Sequence, residues 1–386
     1  MAEPMRIGFL YNHDASHQVP HTISIAAALA ARGVEIEILT SSDEQRAVAT
    51  ALLPAGATVQ FTMLDIGPVS RAADLILRHV APFRRLAILR ENLDVLARFD
   101  ALVVPETTST LLKTRYGLTS TKLIYLPHGA GDGAVGFQPA TRHMDLVLLS
   151  GDKVRDRMLA LGLITENRHA IVGYPKYDHF NSDPEPRLFD NDKPTVLYNP
   201  HVNPLLSSWY PLGIDILDWF ASQDRFNLIF APHVMLFKRL LHTSLVYRTM
   251  GYRPGVPRRF LHHPMIRVDK GSRRSIDMSY VRAADIYIGD ASSQIYEWIQ
   301  RPRPAIFFNT RRTDWQGVAD YRHWALGDVI ETIGDLPVAL ERAMTRPDAF
   351  AAVQRQAALD TFSMSAQPAG ERAADAILAF MRTGHR

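Results

Sequence analysis

Short apolar runs recur along the whole chain, each bounded by polar or glycine- and proline-containing turns and separated from the next by stretches of helical periodicity. The spacing predicts strands over residues 6–11, 34–39, 58–64, 101–104, 122–126, 145–149 and 170–172. A second series is expected over 195–198, 227–230, 265–268, 285–288, 305–308 and 328–330. Strands that alternate with helical patterns point to parallel sheets covered on both faces. In the run 34–39, Val34, Ile36 and Ile38 alternate with Glu35 and Glu37, which places that strand at a sheet edge with one face toward water. Pro20 opens a helix that Arg32 and Gly33 close.

Residues 179–194 combine three prolines with acidic residues and little periodicity, as a linker does. The chain therefore divides into an α/β domain over 1–178, a linker over 179–194, and a second α/β domain over 195–346. An alanine-rich helical segment over 347–386 is expected to pack across the two halves. Both halves read as doubly wound Rossmann-type domains facing a cleft, and ligands in such sheets bind at the carboxyl ends of the strands.

A length of 386 residues suits two cores better than one. With 47% hydrophobic and 22% charged residues the composition is that of a globular protein. The absence of cysteine excludes disulfides and thiolate chemistry, and no apolar run is long enough to span a bilayer. The reading is of a cytoplasmic protein without a signal peptide. A net charge of +3 gives no whole-molecule footprint for nucleic acid. Basic charge is local, over residues 71–98 and 237–274, where cations interleave with apolar positions as in stretches that lie on anionic membranes; a solvated helix face produces the same pattern.

Five places carry candidate chemistry. The turn Gly289-Asp290-Ala291-Ser292-Ser293 leads from a strand into a helix bearing Glu297, where free N–H groups and two hydroxyls suit a phosphate; Asp290 or Ser292 could equally cap the helix. The stretch Pro127-His128-Gly129-Ala130-Gly131-Asp132-Gly133 places an imidazole, a possible general base, beside a glycine-rich loop, although such a histidine is also a common structural loop residue. Pro232-His233 and Asn199-Pro200-His201 end two further strands in the same manner, and His13, Asp14, His17 and His21 crowd the first loop. No HxH or HExxH spacing supports a metal, and none is expected.

These residues together resemble the CDP-glycerol glycerophosphotransferase family, the teichoic-acid-polymerase type of GT-B transferase. The resemblance rests on His128-Gly129, on Val172-Gly173-Tyr174-Pro175-Lys176-Tyr177-Asp178, on Pro232-His233, and on Asp290-Ala291-Ser292-Ser293 with Glu297, and covers most of residues 120–310. The chain departs from the family at Ala130, Val234 and Pro200-His201-Val202. The resemblance implies a GT-B fold with an acceptor-side first domain and a second domain that binds a CDP-linked or other nucleotide-diphosphate donor. It implies His128 as base on an acceptor hydroxyl, and His233 as the group that stabilises phosphate charge. Ser292 and Ser293, with Asp290 and Gly129, would hold the donor phosphates. His201, Asn199, Glu297, His13 and Asp14 become donor or acceptor contacts. No cofactor is implied. The expected partners are the donor, a hydroxyl acceptor of the lipid-linked or polymeric kind, and an anionic membrane surface at its cytoplasmic face. Sugar transfer from a nucleotide sugar, and a non-catalytic nucleotide-binding role, stand as alternatives on the same fold.

Overall fold

The computed structural model describes residues 4–13, 15–77, 83–180, 185, 188–244 and 248–383. The chain forms two compact units. Unit 1 takes residues 1–130, 137–182 and 359–386, and unit 2 takes residues 131–136 and 183–358.

Unit 1 is built on β1 (Arg6–Tyr11), β2 (Glu35–Thr40), β3 (Gln60–Met63), β4 (Ala101–Val104), β5 (Lys122–Tyr125), β6 (Leu146–Leu149) and β7 (His169–Ile171). They lie side by side in the order β3-β2-β1-β4-β5-β6-β7, every pair parallel. The central strands read as continuous apolar runs because both faces are covered. A Cβ on Gly8 in β1 would stand 2.7 Å from the end of the Leu102 side chain, which would have to shift to admit it. The helix Ile23–Ala31 stops at Gly33, whose φ of 80° suits a residue without a Cβ. It packs against the helix Ala369–Thr383, so the last segment of the chain, Leu359–Arg386, belongs to unit 1.

The expectation for β2 is corrected. It is not an edge strand, because β3 pairs along its outer side with Glu37 in register with Gln60. Glu37 is only 7% exposed; its carboxylate accepts from the Thr62 hydroxyl of β3 and lies 3.7 Å from the Arg6 guanidinium. A satisfied buried acid produces the same alternation in sequence as a solvated one.

Unit 2 contains β8 (Thr195–Asn199), β9 (Asn227–Phe230), β10 (Leu241–Ser244), β11 (Thr249–Tyr252), β12 (Ile266–Val268), β13 (Ile286–Gly289), β14 (Ala305–Phe308) and β15 (Asp328–Ile330). Six of them make a parallel sheet in the order β12-β9-β8-β13-β14-β15. Counted along the chain this is 3-2-1-4-5-6, the same winding as the first six strands of unit 1. In each unit the winding reverses beside the first strand, and the crevice at that reversal is where open α/β sheets bind ligands. The helix Trp209–Ala221 follows β8, and its first residue, Trp209, is fully buried, with its ring stacked on Phe230 at 4.6 Å between centroids.

The remaining two strands, β10 and β11, form an antiparallel hairpin that the apolar-run pattern does not reveal. Its register pairs Leu241 with Tyr252, His242 with Gly251 and Thr243 with Met250. His242 and Gly251 face inward: the imidazole Nε2 bonds to Leu236 O at 2.9 Å, and a Cβ on Gly251 would meet Pro204 at 2.7 Å.

Candidate functional site

The carboxyl ends of the strands carry the histidines in both units. In unit 1, β5 runs into Leu126-Pro127-His128, and the His128 ring turns back so that Nδ1 lies 2.7 Å from the Pro105 carbonyl at the end of β4. A carbonyl only accepts, so Nδ1 carries the proton and Nε2 keeps its lone pair. The Gln18 amide nitrogen sits 3.4 Å from the same Nδ1, while Gln18 Oε1 is buried without a partner. Exchanging the amide nitrogen and oxygen of Gln18 turns its oxygen, an acceptor, toward the Nδ1 proton. Burial pushes the His128 pKa down; the bond to Pro105 and the nearby Glu106 carboxylate work against that, and Arg85 works with it.

The first loop brings three further imidazoles to His128. Ring centroids of His13, His17 and His21 lie 6.5, 5.5 and 6.4 Å from it, and His21 also packs edge-on to Tyr174 at 5.2 Å. His21 is buried, and burial together with the cationic Lys176 depresses its pKa well below the ordinary imidazole range. His13 accepts from the Ala15 N–H through Nδ1 at 3.1 Å, which leaves its Nε2 as a donor. Asp14 lies outside the described residues. Gly129 follows His128 in unit 1, half-buried and outside any regular element.

In unit 2 the ends of β8 and β9 place His201 and His233 with ring centroids 5.8 Å apart. Each accepts a backbone N–H through Nδ1 from the residue two positions on: Asn203 at 3.0 Å for His201, Met235 at 3.3 Å for His233. That fixes the tautomer opposite to His128, with Nε2–H as a donor. Burial pulls the His201 pKa to about 3, helped by His233 and His323, so His201 is neutral over the working range.

Beside them stands the serine turn. Its helix, Gln294–Trp298, is short, and Ser293 at its N-cap makes no side-chain capping bond. Ser292 is buried; its hydroxyl lies 3.4 Å from Asn199 Oδ1 and accepts from the Gln294 N–H at 3.3 Å. Asn199 is fixed in turn by donating to the Ala231 carbonyl at 2.7 Å. Ser293 is the exposed hydroxyl of the pair, and Glu297 is buried.

Asp290 points inward. It is fully buried, and Oδ2 accepts from the backbone N–H groups of His201 at 2.8 Å and Ser208 at 3.0 Å, which ties the loop after β8 to the serine turn. Its other oxygen has no hydrogen-bond partner. Desolvation raises its pKa from 3.8 to about 7 against the pull of those donors. Between these two values the folded protein holds a proton that the unfolded chain has released, so stability falls as pH rises through this window. Chemical denaturation from pH 4 to pH 7 is expected to show that decline, and Asp290→Asn is expected to flatten it. An equal slope in the variant would assign the decline to other groups.

A further cluster escapes sequence reasoning. Asp132, in the glycine loop, accepts from the Tyr296 hydroxyl and lies 3.4 Å from His323 Nδ1, all three side chains being buried. Gly131 presses on the serine turn so closely that a Cβ would stand 2.8 Å from Ser293 Cβ. Tyr296 and His323 are distant in sequence from Asp132, and the only sequence signal is an acid among glycines. Among the described residues no group of three histidines or acids is arranged to hold a metal ion.

No family model matches the chain, and no curated protein matches it. Solved structures do. The MnaA protein of S. aureus in complex with UDP is similar over 98% of this chain and 97% of its own, with a TM-score of 0.64 at 10% identity. The wall teichoic acid polymerase TagF is similar over 100% of this chain and 91% of its own, with a TM-score of 0.62 at 11% identity. The glycotransferase of kitacinnamycin is similar over 98% and 99%, with a TM-score of 0.58 at 12% identity. At these identities the likeness is one of fold, and the fold is GT-B, with its two parallel-sheet α/β domains.

Proposed function

We propose that this chain is a transferase that moves glycerophosphate, or a similar phospho-polyol, from a CDP-linked donor to an acceptor hydroxyl. The observation that carries the reading is the opposed tautomers of the strand-end histidines. His128 offers a lone pair at Nε2, as a base requires, whereas His201 and His233 offer N–H donors, as a diphosphate requires. In this reading unit 2 holds the donor. The hydroxyls of Ser292 and Ser293 and the N–H donors of His201 and His233 bind the diphosphate oxygens. Asn199 positions Ser292, and Asp290 positions the loop that bears His201. Glu297 supports the serine turn from within its helix, and Gly129 lets the backbone after the base approach the substrate. His13 is an acceptor contact.

In the transfer the acceptor oxygen attacks the phosphorus that bears the polyol. A new O–P bond forms, the bond from that phosphorus to the bridging oxygen breaks, and CMP leaves with the electron pair. The acceptor proton passes to His128 Nε2. Charge grows on the bridging oxygen, where the preorganised N–H donors of His201 and His233 stabilise it. Sugar transfer is the competing reading, favoured by the fold's likeness to a UDP complex; it would release a nucleoside diphosphate in place of CMP.

Thermal-shift and calorimetric titration with CMP, CDP-glycerol, UDP and UDP-sugars tests the reading. CDP-glycerol is expected to stabilise the protein by roughly 2.7 kcal/mol at a hundredfold excess over Kd. Ser293→Ala is expected to weaken that binding about tenfold, as loss of a hydrogen bond to a charged group does. Selective binding of uridine nucleotides would favour sugar transfer, and binding of none would leave a non-catalytic protein.

A further inference from the structure

The acid in the glycine loop has no part in the transfer reaction described above, yet it stands where the serine turn is built. Asp132 is only 4% exposed. Burying a carboxylate is costly unless donors surround it, and an acid in a loop commonly finds them a few residues away. Glu106 accepts from Thr108 and Ser109 in this way, and Asp269 from Gly271 and Ser272. Asp132 takes its donors from far along the chain. They are the hydroxyl of Tyr296, 164 residues away, and the imidazole of His323, whose Nδ1 lies 3.4 Å from the same carboxylate oxygen.

Both partners lead back to the serine turn. The Tyr296 backbone N–H donates to the Ser293 carbonyl at 3.0 Å, so the bond from its hydroxyl to Asp132 holds the turn at its carboxyl end. His323 precedes Trp324, whose Nε1 donates to the Asp290 carbonyl at 3.4 Å and holds the turn at its amino end. His323 Nε2 is buried without a hydrogen-bond partner, which leaves the Asp132 carboxylate as the polar group that orients the ring. A third link is steric. Gly131 lies so close that a Cβ on it would stand 3.2 Å from Ser293 Cα, and placing Asp132 places this glycine as well. The Ser293 hydroxyl is exposed and makes no capping bond, so it takes its direction from the backbone that carries it. A buried polar network of this kind makes that backbone rigid.

We propose that Asp132 is a positioning residue for the serine turn: by holding Tyr296 and His323 on one carboxylate it fixes both ends of the turn and the direction of the Ser293 hydroxyl. Its bearing on the reaction rests on the reading of Ser293 as a diphosphate contact, and the first of two tests requires no bound ligand.

Amide hydrogen exchange of the full chain is that test. In Asp132→Asn the Gln294 and Tyr296 amides are expected to exchange about tenfold faster, as on loss of one hydrogen bond to a charged group. The amides of β8, inside the same sheet, are expected to keep their rates. Faster exchange in β8 as well would make the acid a support of unit 2 as a whole, and unchanged exchange at the turn would remove it from the turn; either result overturns the assignment. Calorimetric titration with CDP-glycerol, or with UDP where CDP-glycerol does not bind, is the second test. Asp132→Asn is expected to weaken binding by up to the roughly tenfold that Ser293→Ala removes. In the Ser293→Ala background it is expected to cost less than about twofold, because both changes act through one hydroxyl. Equal losses in the two backgrounds would overturn the assignment. Tyr296→Phe keeps the ring and removes only the hydroxyl bond; it is expected to reproduce both effects, and it decides the matter if Asp132→Asn does not fold. Faster exchange at the turn together with binding of neither nucleotide would uphold Asp132 as the residue that fixes the turn and overturn the phosphate reading instead.

Discussion

Replacing His128 with asparagine is expected to lower turnover by about 10²- to 10⁴-fold, the usual contribution of a positioned general base, while donor affinity stays as it is. The expectation follows from the Pro105 carbonyl, which holds the proton on Nδ1 and presents the lone pair of Nε2. The pH profile gives a second readout. The base works only unprotonated, and burial sets its pKa below the ordinary 6.5. Turnover in the wild type should therefore rise with pH to a midpoint under that value and then level off. In the variant this limb should vanish. Steady-state kinetics with CDP-glycerol across pH, combined with calorimetric donor titration, would decide the matter. Full turnover in His128→Asn would remove the residue from the chemistry.

The largest expected loss of stability follows from Trp209→Ala. The ring is fully buried, stacks on Phe230 and donates from Nε1 to the Pro254 carbonyl at 3.1 Å. Gly213, one turn later, leaves room for it; a Cβ there would come within 2.1 Å of the indole. Emptying such a site costs about 3–5 kcal/mol, the transfer term plus the cavity. The chain has two units, so the measurement is the urea midpoint of the transition that reports on unit 2. Trp209→Phe should recover part of the loss. Because Phe230 ends β9 just before the loop of His233, donor affinity is expected to fall in parallel. A midpoint within experimental error of wild type would mean that the cavity collapses without cost.

The parallel strands were legible in the sequence because burial on both faces leaves unbroken apolar runs such as Ala101–Val104 and Ala305–Phe308. The hairpin was not, because its outward face is apolar while its inward face carries a histidine and a glycine, which inverts the usual code. The edge position of β2 was misread because Glu37 looks solvated until Thr62 is known to face it. At the sites, residue types were readable and directions were not. Asp290 and Ser293 are neighbours in one turn, yet the first faces the interior and the second faces solvent. The tautomers were beyond reach as well. Pro127-His128, Pro200-His201 and Pro232-His233 look alike as dipeptides, and only the partner of Nδ1, a carbonyl in one case and amides in the others, separates an Nε2 lone pair from two Nε2–H donors. Asp132 went unnoticed because its partners lie far along the chain.

The six residues Gly131–Gly136 belong to unit 2 although unit 1 surrounds them in sequence. Modularity is limited by this insertion. A fragment spanning 183–358 would fold without the carboxylate that meets Tyr296 and His323, and would leave two buried polar groups short of an acceptor. Exchange of second halves between related genes by a single crossover near the linker would separate Asp132 from the residues it serves. A viable chimera has to carry the hexapeptide along with its own unit and leave residues 359–386 with unit 1.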